Sequence, residues 1–254
     1  MKQHRIRIDL SYKGTNYHGW QMQENAITVQ EEVNKALTLI LREKIETTGC
    51  GRTDTGVHAK QYTAHFDCVG AIEDFPKLKY KLNTLLSRDI AVTDIYETYL
   101  GFHSRFDAIK RTYKYFIHTQ KNPFENEYST FISHDLNVDA MNDAAKLLTG
   151  KKDFTSFCKL HTNVSNNYCT VFEAYWIHNA DKYVFTISAN RFLRNMVRAI
   201  VGTMLDAGRN KTTDITEFEK IIEAKDRSKA GVSAPPQGLF LWKNEYPQSV
   251  GKNL

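Results

Sequence analysis

The chain has 254 residues, of which 34 are basic and 29 acidic, giving a formal charge of +5 with 41% hydrophobic and 25% charged residues. This is globular composition, long for a single domain, and it excludes disordered, collagen-like and low-complexity classes. No uncharged apolar run approaches the roughly 18 residues needed to span a bilayer, and the segment Met1-Lys2-Gln3-His4-Arg5-Ile6-Arg7-Ile8 lacks a signal-peptide core, so a soluble, cytoplasmic protein without a membrane partner is expected.

Arg5 to Leu10 alternates strictly, which predicts a half-buried strand with Ile6, Ile8 and Leu10 on one face. A loop rich in glycine and aromatic residues follows from Lys13 to Gln23. Thr28 and Glu31 make a capping box and open a helix whose stripe is Val29, Val33, Ala36, Leu37 and Ile40. A strand over 45–50 and an alternating strand over 61–68 (Tyr62, Ala64, Phe66 and Cys68 on one face) flank a glycine-bearing loop. A helix over 77–86, after Pro76, and a strand over 90–99 complete a β-α-β-β-α-β order.

That order recurs in the second half. Residues 111–117 alternate as a strand, and Val138 to Leu148 reads as a helix stopped by Gly150. Strands over 168–178 and 182–189 join through Asn179-Ala180-Asp181. Helices over 191–207 and 215–224 follow, then a closing strand near 238–244. Two tandem ferredoxin-like or RRM-like halves predict an α+β fold with antiparallel sheets and helices on one face. The expected division is 1–107 and 108–254, with the two sheets meeting around 105–110 because no Pro/Gly/Ser-rich linker separates them.

Cys50, Cys68, Cys158 and Cys169 form no C-x-x-C pair, and the sequence holds no H-E-x-x-H, P-loop or dinucleotide fingerprint. No metal and no cofactor is expected. A metal or nucleotide cofactor would have to bind without a recognisable signature, and five segments stand out as able to carry chemistry. The first, Gly49 to Ala59, gathers Arg52, Thr53, Asp54, Thr55 and His58 in one glycine-rich turn, where the backbone can approach a ligand closely. A turn-capping role for Asp54 is the plain alternative. Asp54-Thr55-Gly56 also spells the aspartic-protease triplet, but that chemistry needs two carboxylates sharing a proton and the chain has no second copy.

The second segment is the helix starting at Arg191. At 100° per residue, Leu193, Val197, Ile200 and Met204 make a core stripe, with Arg191, Arg194 and Arg198 in a narrow arc beside it. Such arginines either solvate a face or meet phosphate or a buried carboxylate. The third runs from Phe102 through His103, Ser104, Arg105, Phe106 and Asp107 to the strand of Arg111, Tyr113 and Tyr115. Guanidinium groups interleaved with rings are what single-stranded RNA binding uses, although either tyrosine could equally be core. The fourth is Ser11 to Gln21, and the fifth is Ala234-Pro235-Pro236-Gln237-Gly238-Leu239-Phe240-Leu241, a rigid turn that delivers Leu239 from a strand start.

Together these segments resemble the tRNA pseudouridine synthase family that modifies the anticodon stem-loop. The motifs stand in family order over essentially the whole chain: Y-x-G-x-x-Y-x-G-W-Q, G-R-T-D-x-G-V-H-A, F-H-x-R-F-x-A-x-x-R-x-Y-x-Y, F-L-R-x-M-V-R and A-P-P-x-G-L-x-L. Lys13, Thr55 and Ser104 depart from residues expected in many members, at positions without a chemical role. The resemblance implies a pseudouridine synthase fold and an isomerase acting on uridines 38, 39 and 40 of tRNA. It implies a homodimer with each tRNA lying across both subunits, base flipping of the target, and no small-molecule cofactor. It implies Asp54 as the essential carboxylate, Arg198 as its cationic partner, Tyr113 stacking on the flipped base, Leu239 as a pocket wall and Arg52 filling the vacated stack. Arg105, Arg111, Arg191 and Arg194 are then candidates for phosphate contacts or structural pairing. A non-catalytic RNA-binding module is the competing class, but a carboxylate in the central loop would only repel phosphate there.

Overall fold

The computed structural model describes residues 3–159, 166–209 and 215–248. Contacts divide the chain into two compact units, one made of residues up to Lys110 together with those from Leu241 on, the other Arg111–Phe240. Both mix helices with antiparallel strands, an α+β architecture. Among the described residues no helix is long and apolar enough to cross a membrane.

The first unit runs β1 (His4–Tyr12), α1 (Val29–Leu41), β2 (Thr48–Gly49), β3 (His58–Cys68), α2 (Phe75–Leu85) and β4 (Ile90–Thr98). Its sheet has β1 between β4 and β3, with β2 also paired to β3. Antiparallel register sets Ile6 opposite Phe66, Ile8 opposite Ala64 and Leu10 opposite Tyr62. These residues, with Val33 and Leu37 of α1 and Leu82 of α2, are fully buried and form the core. Thr28 caps α1 by accepting the Glu31 N–H. Asp74 caps α2 by accepting the Lys77 N–H, so this helix starts two residues before its expected position, with Pro76 in its first turn.

The strand expected over 45–50 shrinks to Thr48–Gly49. Side chains of α1 explain this: the Ile45 N–H donates to Thr38 Oγ1 (3.0 Å) and the Thr47 N–H to Asn34 Oδ1 (3.0 Å). With those donors satisfied, the segment has no need of a ladder.

The opposite sheet face is polar. Arg5 forks onto Asp67 with two bonds of 2.7 Å, and the Arg7 guanidinium stacks 4.6 Å from the Tyr246 ring. His65 Nδ1 receives the Ser104 N–H (3.2 Å) and lies 3.0 Å from the Ser104 hydroxyl oxygen, whose proton goes to Thr48 O (2.7 Å). This chain of bonds fastens the 99–107 loop to β2 and β3.

The second unit contains β5 (Lys110–His118), β6 (Thr130–Phe131), α3 (Val138–Lys146), β7 (Gly150–Asp153), β8 (Tyr168–Asn179), β9 (Lys182–Ala189), α4 (Met196–Arg209) and α5 (Ile215–Ala224), and β10 (Leu239–Glu245) begins in it. The sheet order is β5-β9-β8-β7, antiparallel throughout, with β6 parallel to the end of β5. Tyr115, Tyr183, Phe185, Ile187 and Trp176 alternate inward and are buried, as are Met141 and Ala145 of α3 and Ile200 and Met204 of α4. Trp176 stacks on Phe185 at 4.9 Å and donates its indole N–H to the Met204 sulfur. Strands β6 and β7 were not legible as periodic runs, being two and four residues long. Helix α3 stops at Lys146, and Gly150, with φ +90°, opens β7 after a further turn.

The helix expected from Arg191 starts at Met196 instead. Asn195 has φ +65°, a left-handed conformation that breaks helical continuity between Arg194 and Met196. Arg191 and Arg194 therefore do not share a helical stripe with Arg198, which alone of the three lies on α4.

Burial pushes the His65 imidazole down to about 4, reinforced by Arg5 and His103 and opposed by Asp67 and Asp107. Between about pH 6.5 and 4 the unfolded chain therefore binds the proton that the folded chain refuses. Stability is expected to fall as pH drops through this window, by up to about 1.4 kcal/mol per pH unit from this group. Urea unfolding as a function of pH, with His65→Gln compared against wild type, checks this: the variant should lose that part of the slope, and an identical slope would refute it.

Candidate active site

The Asp54 turn joins β2 to β3 and is seated on the loop that follows β1. The Trp20 N–H donates to Thr53 O (3.3 Å), and the Gly56 N–H to Tyr17 O (3.3 Å). The Tyr12 hydroxyl meets Thr53 Oγ1 at 2.9 Å, and the Gly14 N–H donates to His58 Nδ1 at 3.0 Å. Within the turn the Val57 N–H closes onto Asp54 O (3.1 Å), while the Tyr62 hydroxyl donates to Gly51 O. Beneath it Tyr12, Trp20 and Tyr62 pack as one aromatic cluster, Trp20 on Tyr62 at 4.1 Å.

Two glycines make this seat possible. A Cβ on Gly14 would lie 2.0 Å from Val57 O, and one on Gly19 would lie 2.3 Å from Thr53 O. Gly19 also has φ +83°. Hence the Y-x-G-x-x-Y-x-G-W-Q segment is the mould of the Asp54 turn. Of the polar residues gathered there, His58 and Thr53 are buried and hold the turn in place. Asp54 is half-buried and Arg52 is exposed.

On the 99–107 loop Phe102 and Ser104 are buried, whereas Arg105 and Phe106 are exposed. The Phe106 ring lies on the His103 ring at 4.2 Å, and Arg105 lies over Phe106 at 5.6 Å.

The second unit holds the other sequence-selected residues. Arg198, in the first turn of α4, donates from Nε to Ala234 O (2.7 Å), and the Ala234 N–H returns to Arg198 O (2.9 Å). This two-way clasp joins the F-L-R-x-M-V-R and A-P-P-x-G-L-x-L segments. Arg227 completes it by donating to Ala230 O, Gly231 O and Ser233 Oγ. Sequence reasoning missed Arg227, because nothing in its neighbourhood marks a guanidinium that serves backbone carbonyls. Leu239 is buried at the start of β10.

The two tyrosines of β5 separate by environment. Tyr115 is fully buried, and its hydroxyl bonds Thr130 Oγ1 (2.6 Å) and Pro235 O (2.9 Å), which makes it structural. Tyr113 is half-buried, edge-on to Phe192 at 5.0 Å. Arg111 is buried and donates to Asn190 O (2.8 Å). Arg191 is half-buried, and Arg194 is exposed in the turn before α4. Among the described residues no group of three His, Cys, Asp or Glu side chains is arranged to hold a metal ion.

Comparison with known proteins agrees with these segments. Residues 144–247 match a family model described as tRNA pseudouridine synthase. A Bacteroides fragilis protein named tRNA pseudouridine synthase A is 50% identical over 252 residues, covering 98% of this chain and 99% of that protein. Proteins of the same name from Parabacteroides distasonis and Bacillus subtilis are 49% and 43% identical, covering 97% and 95% of this chain and 97% and 99% of their own lengths.

The seat of the Asp54 turn gives a direct test. Gly19→Ala should cost about 1–2 kcal/mol from left-handed backbone alone, and more if Thr53 O holds its position. Gly51→Ala, whose Cβ would meet nothing within 4 Å, should stay within about 0.5 kcal/mol of wild type. Urea unfolding of both variants checks this; equal stability of the two would contradict the seating.

Proposed function

The chain belongs to the tRNA pseudouridine synthase A family, enzymes that isomerise uridine within tRNA, and from that premise we propose that it acts on uridines 38, 39 and 40 of the anticodon stem-loop, with Asp54 as its essential carboxylate. The observation that carries this reading is the Asp54 turn itself. The turn that carries half-buried Asp54 is held by backbone bonds within itself and to the loop after β1, with two glycines giving up side chains to seat it. A turn-capping aspartate would need no such mould.

The reaction breaks the N1–C1′ glycosidic bond, rotates the uracil and forms C5–C1′. The C5 proton leaves, and N1 gains one. Positive character at C1′ during cleavage is what a carboxylate stabilises or captures, and the detached uracil is retained as the next nucleophile. A base stacked in its stem must first be flipped out. Exposed Arg52, two residues before Asp54, is the side chain to fill the gap. Half-buried Tyr113 offers a ring to the flipped base, and buried Leu239 an apolar wall. Arg198, its Nε fixed on Ala234 O, is the proposed cationic partner of Asp54. Arg105, Arg191 and Arg194 are proposed phosphate contacts, whereas Arg111, committed to Asn190 O, supports the strand. A homodimer with one tRNA across both subunits is proposed on the family resemblance, with no cofactor in the reaction.

Tritium release from tRNA labelled at uridine C5 tests the reading. Wild type should release tritium. Asp54→Asn should lower turnover by about three orders of magnitude or more while binding tRNA nearly as well. Tritium release by Asp54→Asn at the wild-type rate would overturn the assignment. Sequencing for pseudouridine in cellular tRNA, with and without the protein, should show loss confined to positions 38, 39 and 40.

A further inference from the structure

A cavity in the second unit lies outside every motif that carries the family resemblance. It has a volume of about 470 Å³ and is lined by Lys151, Asn166, Tyr168, Thr170, Asn190 and Arg191. That size suits a nucleotide. Among the described residues the lining contains two cations and no carboxylate. Tyr168 is 47% exposed, a large ring held open to solvent, and the Lys151 ammonium lies 5.9 Å from its centroid.

The walls are fixed. Lys151 on β7 faces Thr170 on β8 across the antiparallel ladder. Asn190 clasps Thr170 twice: its N–H donates to Thr170 O (3.0 Å), and its Oδ1 accepts the Thr170 N–H (2.8 Å). Arg111 in turn holds Asn190 O. Asn166 Oδ1 accepts the Tyr168 N–H (3.1 Å). The nearby Asp153, paired with Tyr168 in the ladder, directs its charge elsewhere, to the Thr155 N–H and hydroxyl (3.0 and 2.5 Å) and to the Lys225 ammonium (3.7 Å).

Two cations that can grip a phosphodiester beside an open aromatic face make the pairing that holds a nucleotide by its backbone and its base. We propose that Lys151, Tyr168 and Arg191 form a nucleotide subsite for tRNA, distinct from the pocket of the isomerised uridine. A backbone phosphate sits between Lys151 and Arg191, and an adjoining base stacks on Tyr168. The proposal rests on tRNA being the substrate. It adds that recognition extends to a nucleotide the enzyme does not modify, one that is unpaired or at the end of a stack, since only such a base can lie on a side-chain ring.

The test separates charge from stacking. Binding of unmodified tRNA is measured between 50 and 200 mM salt for wild type, Lys151→Ala, Tyr168→Leu and Tyr168→Phe, together with tritium release. Lys151→Ala should weaken binding and lower the slope of log K against log salt by about 0.7–0.9, the signature of one lost phosphate contact. Tyr168→Leu should weaken binding by about tenfold with the slope unchanged, and Tyr168→Phe should restore it. If wild type releases tritium but all three variants bind tRNA within twofold of it, the subsite is overturned and the enzymatic reading stands. If uridine monophosphate binds wild type, is lost in Lys151→Ala and does not compete with tRNA, the cavity serves a free phosphate compound and the proposal is likewise overturned. Absence of both tRNA binding and tritium release in wild type would overturn the functional reading and the subsite with it.

Discussion

The first unit depends on one steric constraint: the loop after β1 and the Asp54 turn meet backbone to backbone. Gly14 and Gly19 press on Val57 O and Thr53 O at distances no Cβ tolerates. Everything around that contact serves to maintain it. The Tyr12–Trp20–Tyr62 cluster fills the space beneath, His58 receives the Gly14 N–H, and Thr53 ties back to Tyr12. The cost of two conformationally free glycines is offset by a turn whose position is set from several sides. The role proposed for Asp54 requires such placement, because misplacement of a reacting group by an ångström can cost orders of magnitude in rate.

The second unit solves a similar problem around Arg198. Gly202 lets the segment at Val232 lie directly on α4, since a Cβ there would be 1.8 Å from Val232 O. Arg198 then binds the Ala234 carbonyl and Arg227 those of Ala230 and Gly231. Guanidinium groups suit this work, because their planar fork serves several acceptors at once. Leu239 follows on the same segment after a short 3-10 turn whose Gly238 packs closely on Phe116 O. Thus the Arg198 clasp and the buried Leu239 are set by one continuous stretch of chain.

Much of this was legible in the sequence where the cause is local. The capping box at Thr28, the alternation of β1, and the hairpin through Asn179-Ala180-Asp181 stand where they were expected, because cap, period and turn each lie within a few residues. Errors arose where the deciding partner is remote or a single backbone conformation intervenes. Asn34 and Thr38 of α1 took the donors of the supposed strand over 45–50. The left-handed Asn195 removed Arg191 and Arg194 from the helix that carries Arg198. No periodicity could tell Tyr113 from Tyr115, since both alternate on one strand; only the Thr130 and Pro235 bonds mark Tyr115 as structural. The chemistry itself was read from motif resemblance. What the structure adds is the reason for the glycines in those motifs, and a basic, aromatic cavity at Tyr168 that no motif marks.

The proposal on which the account turns is that Asp54 and Arg198 serve one flipped uridine. A crystal structure of the enzyme bound to tRNA measures this directly. The account predicts the target uridine out of its stack, its base between Tyr113 and Leu239, with the Asp54 carboxylate within about 3.5 Å of the Arg198 guanidinium and in contact with the nucleotide. A uridine still stacked in the RNA, or a nucleotide bound with Asp54 turned away from both it and Arg198, would contradict the account.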